Sequence, residues 1–326
     1  MRIDDVTVLI ACYNGSEFID ATLRSAAEQG DPVDILVVDD CSTDESWSIL
    51  QRWERDHARV RVIRNPENFG VCATLNAGIA EIDTEFVIIL GHDDLMFPNC
   101  AAILRNTIEM FGSQCSSVSA LGLVGDEHGE VQRCKNGAPL LADSLPDAHL
   151  QSPGDLLERL LVHNEFNSCC IHRTAVVAEE RYDPEMPYED WDLWCRLSIR
   201  HRLGSTSEPV YIFRRPLWSL SSTMQSTGKE EIGRNALRRK FLSRSPSTDR
   251  LIVQLATKDA WGMLGKIRPA DARATLARLP RVGWRTDLGR FAVSVAARAP
   301  RPVLLFAARV RFVLRKISQR VSERGS

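Results

Sequence analysis

No stretch of about 18 consecutive apolar residues occurs in this chain, so a membrane-spanning helix is not expected. A secretory leader is not expected either, because MRIDDVTVLIACYN puts two acidic residues before a very short apolar run where a leader has a basic end and a longer one. The nine cysteines form an odd set with no Cys-x-x-Cys pair, which argues against a disulfide framework or a zinc ribbon and for a reducing, cytoplasmic setting. Nucleophilic-triad and P-loop arrangements are missing too. What remains is 326 residues, 44% hydrophobic and 26% charged, enough to bury a large core in one or two domains and too apolar for global disorder.

The net charge of -2 hides a strong asymmetry. Residues 1–233 hold 19 basic against 38 acidic side chains, a balance of −19, and residues 234–326 hold 22 against 5, a balance of +17. A basic module of this kind meets an acidic partner: the front of its own chain, an anionic membrane surface or nucleic acid. Nucleic acid is not expected, since no recognition module accompanies the charge.

Apolar β-rich runs at 6–12, 34–38, 60–63 and 85–90 alternate with helical patterns at 16–29, 46–57 and 70–80. That alternation predicts an α/β fold, a mostly parallel Rossmann-like sheet with helices on both faces. Ligands of such sheets sit at the carboxyl ends of the strands. Those ends carry Tyr13 and Asn14, Asp39 and Asp40, and His92, Asp93 and Asp94. From about 113 to 153 the pattern loosens into polar segments with Gly and Pro, expected to hold short strands and a variable loop. Helical periodicity returns at 154–163, and Tyr188-Glu189-Asp190-Trp191-Asp192 opens a helix to about Arg200. SRSPSTD after residue 242 reads as a linker, which divides the chain into a domain at 1–242 and a basic helical region at 243–326.

An Asp pair after a strand is often only a turn that caps the next helix. Two such pairs at neighbouring strand ends repel unless a cation or polar ligand compensates, and hard oxygen ligands suit Mg²⁺ or Mn²⁺ held with substrate phosphates.

Five ordered motifs carry a resemblance to the inverting family 2 glycosyltransferases of the GT-A fold, over roughly residues 5–225. TVLIACYN resembles V-S-V-I-I-P-x-Y-N, with Ala11 and Cys12 in place of Pro and its neighbour; VVDDCSTD is similar to V-V-D-D-G-S-T-D, with Cys41 for Gly. Asn68, Gly70, Asn76 and Gly78 are similar to N-x-G...(A-R)-N-x-G, with Leu75 where many members have Arg; LGHDD resembles L-D-x-D-D, with Gly91 for the first Asp; Glu189-Asp190-Trp191 resembles E-D-W.

The resemblance implies donor-nucleotide contacts at Ala11, Tyr13, Asn14, Asp40 and Asp93, Asp94 as the ligand of Mn²⁺ or Mg²⁺, and Asp190 as the general base. FRRPLWSLS resembles the family's Y-R-x-H-x-x-S-x-S near the diphosphate, which implies a diphosphate contact at Arg214, while Pro216 stands where the family's His would be. His92 is either a further ligand or a strand-end residue turned away; Glu189 joins the base motif. Trp191 and Trp194, three apart on one helix, either stack on a sugar or fill the core. The implied reaction moves a sugar from a nucleoside diphosphate donor, UDP-sugars being commonest in the family, to a hydroxyl-bearing glycan or lipid-linked acceptor in bacterial polysaccharide or glycolipid assembly. Val303, Phe306, Val310, Val313, Leu314, Ile317 and Val321, interleaved with Arg and Lys, predict a basic amphipathic helix that meets an anionic membrane, the catalytic domain or a second subunit. Two other readings are a sugar nucleotidyltransferase, for which ACYNGSEF lacks the Gly-rich basic loop, and a non-catalytic scaffold that keeps the fold.

Overall fold

Alternation places the first strands. In β1 (Val6–Cys12), β2 (Asp34–Asp39) and β4 (Phe86–Gly91), nearly every residue is buried, as expected of parallel strands covered on both faces. The computed structural model describes residues 5–134, 137–142, 150–151, 156–186, 188–215, 230–266, 268–277, 279–283, 289–290, 292–294 and 296–298. Pro216 and the basic stretch 303–321 lie outside them.

One eight-stranded sheet runs in the order β3-β2-β1-β4-β7-β6-β8-β5, with β3 Val60–Arg64, β5 Leu95–Met96, β6 Cys115–Gly125, β7 Cys170–Arg173 and β8 Arg202–Arg214. Its first four strands are parallel, and β6 and β8 are parallel; β7 runs antiparallel to β4 and β6, and β5 to β8. This is the expected GT-A arrangement. Val6, Val8, Ile10, Ile35 and Val37 face a core built with α1 (Ile19–Ala27), α2 (Ser46–Asp56) and α4 (Cys100–Met110). The alternate residues Leu9 and Val38 face α3 (Val71–Ile79), so closely that a Cβ on Gly78 would fall 2.4 Å from Leu9 Cδ1 and 3.1 Å from Val38 Cγ2. The N-x-G spacing on α3 therefore has a packing reason.

Two expectations are corrected. In place of short strands only, the loosened region holds β6, eleven residues long and almost all buried; Ser116, Ser117 and Ser119 stand where apolar residues would have announced its length. Their hydroxyls are bonded internally: Ser117 Oγ lies 2.7 Å from His172 Nδ1, and Ser119 Oγ accepts from the Asn167 N–H at 2.9 Å. The expected linker is instead a helix start. Ser245 caps the helix Pro246–Gly265 by accepting from the Thr248 N–H at 3.0 Å, with Pro at the first helical position, where its missing N–H costs nothing. Ser, Pro and Asp are turn formers and helix starters alike.

The chain divides into compact units at Met1–Ser222 and Thr223–Ser326, not at 242, because the helix Glu230–Arg239 belongs to the second. Calling that helix α8, Pro246–Gly265 α9 and Pro269–Leu276 α10, the second unit packs Val253, Ala256, Ala260 and Met263 of α9 against Ala272 and Leu276 of α10. Asp259 of α9 accepts from Arg234, Asn235 and Arg238 of α8. Among the described residues no helix is long and apolar enough to cross a membrane.

The first unit also holds α5 (Leu157–Val162), shorter than the expected 154–163, α6 (Thr174–Glu180) and α7 (Glu189–Arg200).

Candidate active site

The carboxyl ends of β2, β1 and β4 lie side by side, with Cys12 opposite Asp39 and Ala11 opposite both Val38 and Gly91. Ala11 is thus inside the sheet, and Tyr13 and Asn14 leave its edge exposed. Asn14, at φ 49°, staples two loops: its Oδ1 accepts the Thr43 N–H at 2.8 Å, and its own N–H donates to Ser42 Oγ at 3.0 Å. Cys41, in the family's Gly position, has φ 62°, a left-handed conformation that explains the usual glycine.

Asp40 is only 3% exposed. Its Oδ1 accepts Asn65 Nδ2 at 2.8 Å and the Phe69 N–H at 2.9 Å, and its Oδ2 accepts the Gly70 N–H at 2.8 Å. The carboxylate therefore builds the loop that opens α3. Asp39 is buried, held by Arg64 at 3.3 Å and the Ser42 N–H at 3.1 Å, with Oδ1 unpartnered.

After β4 the chain turns tightly, the Asp94 N–H donating to Gly91 O at 3.1 Å. A Cβ on Gly91 would lie 2.9 Å from Asp94 Oδ2 and 3.0 Å from Asp93 Oδ1, so both carboxylates lean over the same bare stretch of backbone. Burial first, and then the charge of Asp93, hold the Asp94 carboxyl well above its usual range. Arg214, at the end of β8, answers that charge: its backbone N–H donates to Asp94 Oδ1 at 3.1 Å, its Nε to the Asp93 carbonyl, and its Nη2 to Thr22 Oγ1 at 2.9 Å. Being 4% exposed and turned inward, Arg214 is a counter-ion beneath the turn, where the sequence suggested a diphosphate contact. The His92 ring lies against Gly15, and its carbonyl accepts Thr22 Oγ1 at 2.8 Å.

The second acidic pair begins α7. Asp190 Oδ1 accepts the Trp191 N–H at 2.6 Å and Oδ2 accepts Asn164 Nδ2 at 3.3 Å. Burial pushes the Asp190 carboxyl up to about 6 against these two donors, and burial with the Asp190 charge pushes Glu189 up to about 7. Trp191 is core: 6% exposed, with its ring N–H on Leu160 O at 2.7 Å. Trp194 is core as well. Cys72, in the first turn of α3, is pushed up to about 12, first by burial and then by the charges of Glu189, Asp183, Asp192 and Asp190. The start of α7 therefore lies within electrostatic reach of the helix that Asp40 anchors. Asn76 of α3 secures the approach, donating to Tyr182 O and accepting the Tyr182 N–H, both at 2.8 Å.

The donor set fits a divalent cation. Two aspartates over an open backbone supply hard oxygen ligands, and their mutual repulsion is what a cation relieves. Among the described residues no group of three or more His, Cys, Asp or Glu is arranged for a metal, so the remaining ligands would come from a phosphate and water.

Residues 7–121, covering β1 to most of β6, match the sequence profile of Glycosyl transferase family 2. The match covers about a third of the chain. An uncharacterized glycosyltransferase of Haemophilus influenzae is 26% identical over 222 residues, 64% of this chain and 65% of the relative; a putative teichuronic acid biosynthesis glycosyltransferase, TuaG, of Bacillus subtilis is 33% identical over 90 residues, 27% of this chain and 36% of the relative. The chain thus spans less than two thirds of either relative. The likeness in fold extends further than the profile match. Staphylococcus aureus TarS 1–349 with UDP-GlcNAc superposes with a TM-score of 0.56 at 17% identity, over 91% of this chain and 92% of that one. The mannosyltransferase PcManGT of Pyrobaculum calidifontis with GDP-Man and Mn²⁺ gives 0.57 at 18%, over 95% and 87%. At that identity the likeness is one of fold, GT-A.

The structure brings Tyr13, Asp40, Asp93 and Asp94 to one edge of the sheet, at the carboxyl ends of β1, β2 and β4, with Asp190 at the start of α7. Sequence reasoning missed Asn164, Asn65, Thr22 and Phe69, and met Asn76 only as part of a motif, without its bonds to Tyr182. Each acts through a single side chain or a single backbone group and leaves no periodic signal; only the Asn of the N-x-G stretch hinted at one of them.

Proposed function

We propose that this protein is an inverting glycosyltransferase, moving a sugar from a nucleoside diphosphate donor, UDP first among the candidates, to an acceptor hydroxyl. The observation that carries the reading is the presence, in one family 2 domain, of two recessed acidic pairs with different partners. One leans over bare backbone with Arg214 beneath it; the other is held by neutral donors with its carboxyls pushed up to about 6 and 7.

Asp94 and Asp93 would hold Mn²⁺ or Mg²⁺, which when bound neutralises the charge growing on the leaving diphosphate. Arg214 and Thr22 keep the turn in place, and Arg214 limits the repulsion between its carboxylates. Asp190, ionised, accepts the proton of the attacking hydroxyl, and a raised proton affinity makes it a better base near neutral pH than an exposed aspartate. Asn164 and the Trp191 N–H orient it. With the base and the metal turn on different elements, attack and departure take opposite faces of the sugar, which inverts the anomeric carbon without a covalent glycosyl-enzyme.

The bacterial teichuronic acid relative supports a role in polysaccharide assembly. The basic stretch 303–321 supports peripheral contact with an anionic membrane on the cytoplasmic side, where a lipid-linked acceptor would be found. Loss of binding to anionic liposomes on truncation after Ser243 is the expected result for that contact; unchanged binding would reassign the charge.

Calorimetric titration with UDP, GDP and TDP, each with and without Mn²⁺, tests the central reading. Metal-dependent binding of one of them is expected, and silence from all three would favour a non-catalytic scaffold.

A further inference from the structure

Asp190 and Trp194 lie four residues apart on α7, so their side chains share one face of the helix. The loop between α5 and β7 meets that face twice. Asn164 Nδ2 donates to Asp190 Oδ2 at 3.3 Å, and the Phe166 ring packs on the Trp194 ring with centroids 4.5 Å apart. A third bond joins the two contacts, the Phe166 backbone N–H donating to Asn164 Oδ1 at 3.2 Å.

That bond decides which end of the amide faces the carboxylate. A flipped amide would set two donors against each other at Phe166 and two acceptors at Asp190. Asn164 therefore donates to the ionised carboxylate and cannot accept the O–H of the acid form. At 3.3 Å its bond is already at the long end of the hydrogen-bond range, so a small recession of the loop loses it.

The place of Phe166 is set from behind. Its side chain is buried, and Trp194, buried too, rests in turn on the His172 ring at 5.3 Å. His172 is held at both nitrogens, Nδ1 2.7 Å from Ser117 Oγ of β6 and Nε2 3.0 Å from Cys170 Sγ of β7. The loop is tied to β6 as well, Asn167 Nδ2 donating to Ala120 O at 2.8 Å. An aromatic column thus stands on the sheet, with Phe166 as its last member before Asp190. Burial holds His172 down to about 3, so the column stays neutral over the range in which Asp190, at about 6, changes charge. The titratable groups that share the field of Asp190 are Glu189 beside it, Cys72 of α3, Cys170 of β7 and Tyr182, the last three pushed up by burial and uncharged in that range. Asp192 on the same helix pairs with Arg196, and the loop carries His163 and Glu165, the latter paired with Arg159 of α5.

Resting on the reading of Asp190 as the base, we propose that Phe166 is a positioning residue for it: clamped on Trp194, Phe166 fixes the Asn164 amide in the orientation and at the distance that stabilise the ionised carboxylate. It acts through Asn164 and needs no contact with either substrate.

The test is an NMR titration of the full chain, labelled with ¹⁵N and with ¹³C in its aspartates, the Asp190 carboxyl being identified by its loss in Asp190→Asn. In Phe166→Leu, which removes the ring and keeps an apolar side chain, Asp190 is expected to titrate higher by about 0.5 to 1 pH unit, as in Asn164→Leu. The double variant should shift no further than Asn164→Leu alone, since both changes act on one bond. Phe166→Met, which refills the space and keeps a contact with the Trp194 ring, should return close to the wild type. An Asp190 titration unmoved in Phe166→Leu would overturn the inference, and so would a double variant whose shifts add. The wild type supplies a check that no variant's folding can confound. The ¹⁵N signals of Asn164 Nδ2 and of the Phe166 N–H should both follow the Asp190 titration, and a Phe166 N–H indifferent to it would overturn the inference. Silence of the wild type to UDP, GDP and TDP with Mn²⁺ in calorimetry would instead remove the base role, and this inference with it, while leaving the titrations as they are.

Discussion

The two acidic pairs look alike in sequence, adjacent carboxylates at the end of one element and the start of another, yet they are held by different partners. Asp93–Asp94 has a guanidinium beneath it and bare backbone above, which is an arrangement for keeping negative charge and offering it to a cation. Glu189–Asp190 is held by an amide and a backbone N–H, and burial raises its proton affinity. Burial raises the proton affinity of Asp94 as well as of Glu189 and Asp190, so what separates the pairs is the partner: a nearby guanidinium and open backbone for the first, an amide and a backbone N–H for the second.

The largest effect that separates them is expected from Asp190→Asn. Turnover should fall about 10²- to 10⁴-fold while metal-dependent nucleotide binding persists, as read by product formation against calorimetry; a parallel loss of both would merge the two roles. Asp94→Ala should do the reverse, removing the metal-dependent part of nucleotide binding.

Arg214→Leu keeps the backbone N–H on Asp94 but removes the guanidinium from the Asp93 carbonyl and Thr22. A destabilisation of about 1–3 kcal/mol is expected from the buried groups left without a donor, and added Mn²⁺ should recover part of it in thermal denaturation. A melting curve indifferent to Mn²⁺ would mean that the turn does not hold the metal.

The pH dependence belongs to the second pair. Both carboxyls are raised above their usual values, so on acidification they take up protons earlier than exposed carboxyls, and activity should fall as pH drops through the range from about 7 to 6. Asn164 stabilises the ionised form of Asp190, so Asn164→Leu should move the acid limb to higher pH. A limb that stays in place would remove Asn164 from the site. The smallest effect is expected from Gly91→Ala, whose added carbon crowds both aspartates: metal-dependent binding should weaken a few-fold with the acid limb unmoved.

Much of this was legible in the sequence. β1 to β4 and the first three helices lie within a few residues of where the apolar periods put them, and the acidic motifs fall at the strand ends and helix start that they announced. The illegible parts share a cause. Serines on a buried strand carry no apolar signal, so the sequence suggested only short strands where β6 runs for eleven residues, with Ser117 and Ser119 bonded to His172 and Asn167. Arg214 was legible as a cation beside the site but not as one turned inward, because direction is set by β8 and Thr22 rather than by its neighbours in sequence. Asp40 was legible as a site residue, yet its three internal donors come from Asn65 to Gly70, which no local pattern links to it.

The paired bonds between Asn76 and Tyr182 reach across 106 positions of chain. Asp40 anchors the start of the helix that carries Asn76, and Arg196 of α7 grips the carbonyls of Glu180 and Arg181 beside Tyr182. A continuous brace thus runs from the Asp40 loop to the helix bearing Asp190. In kinetic terms, a frame assembled in advance spares a bound donor and acceptor the entropy of finding each other, and the reaction inherits that saving as rate.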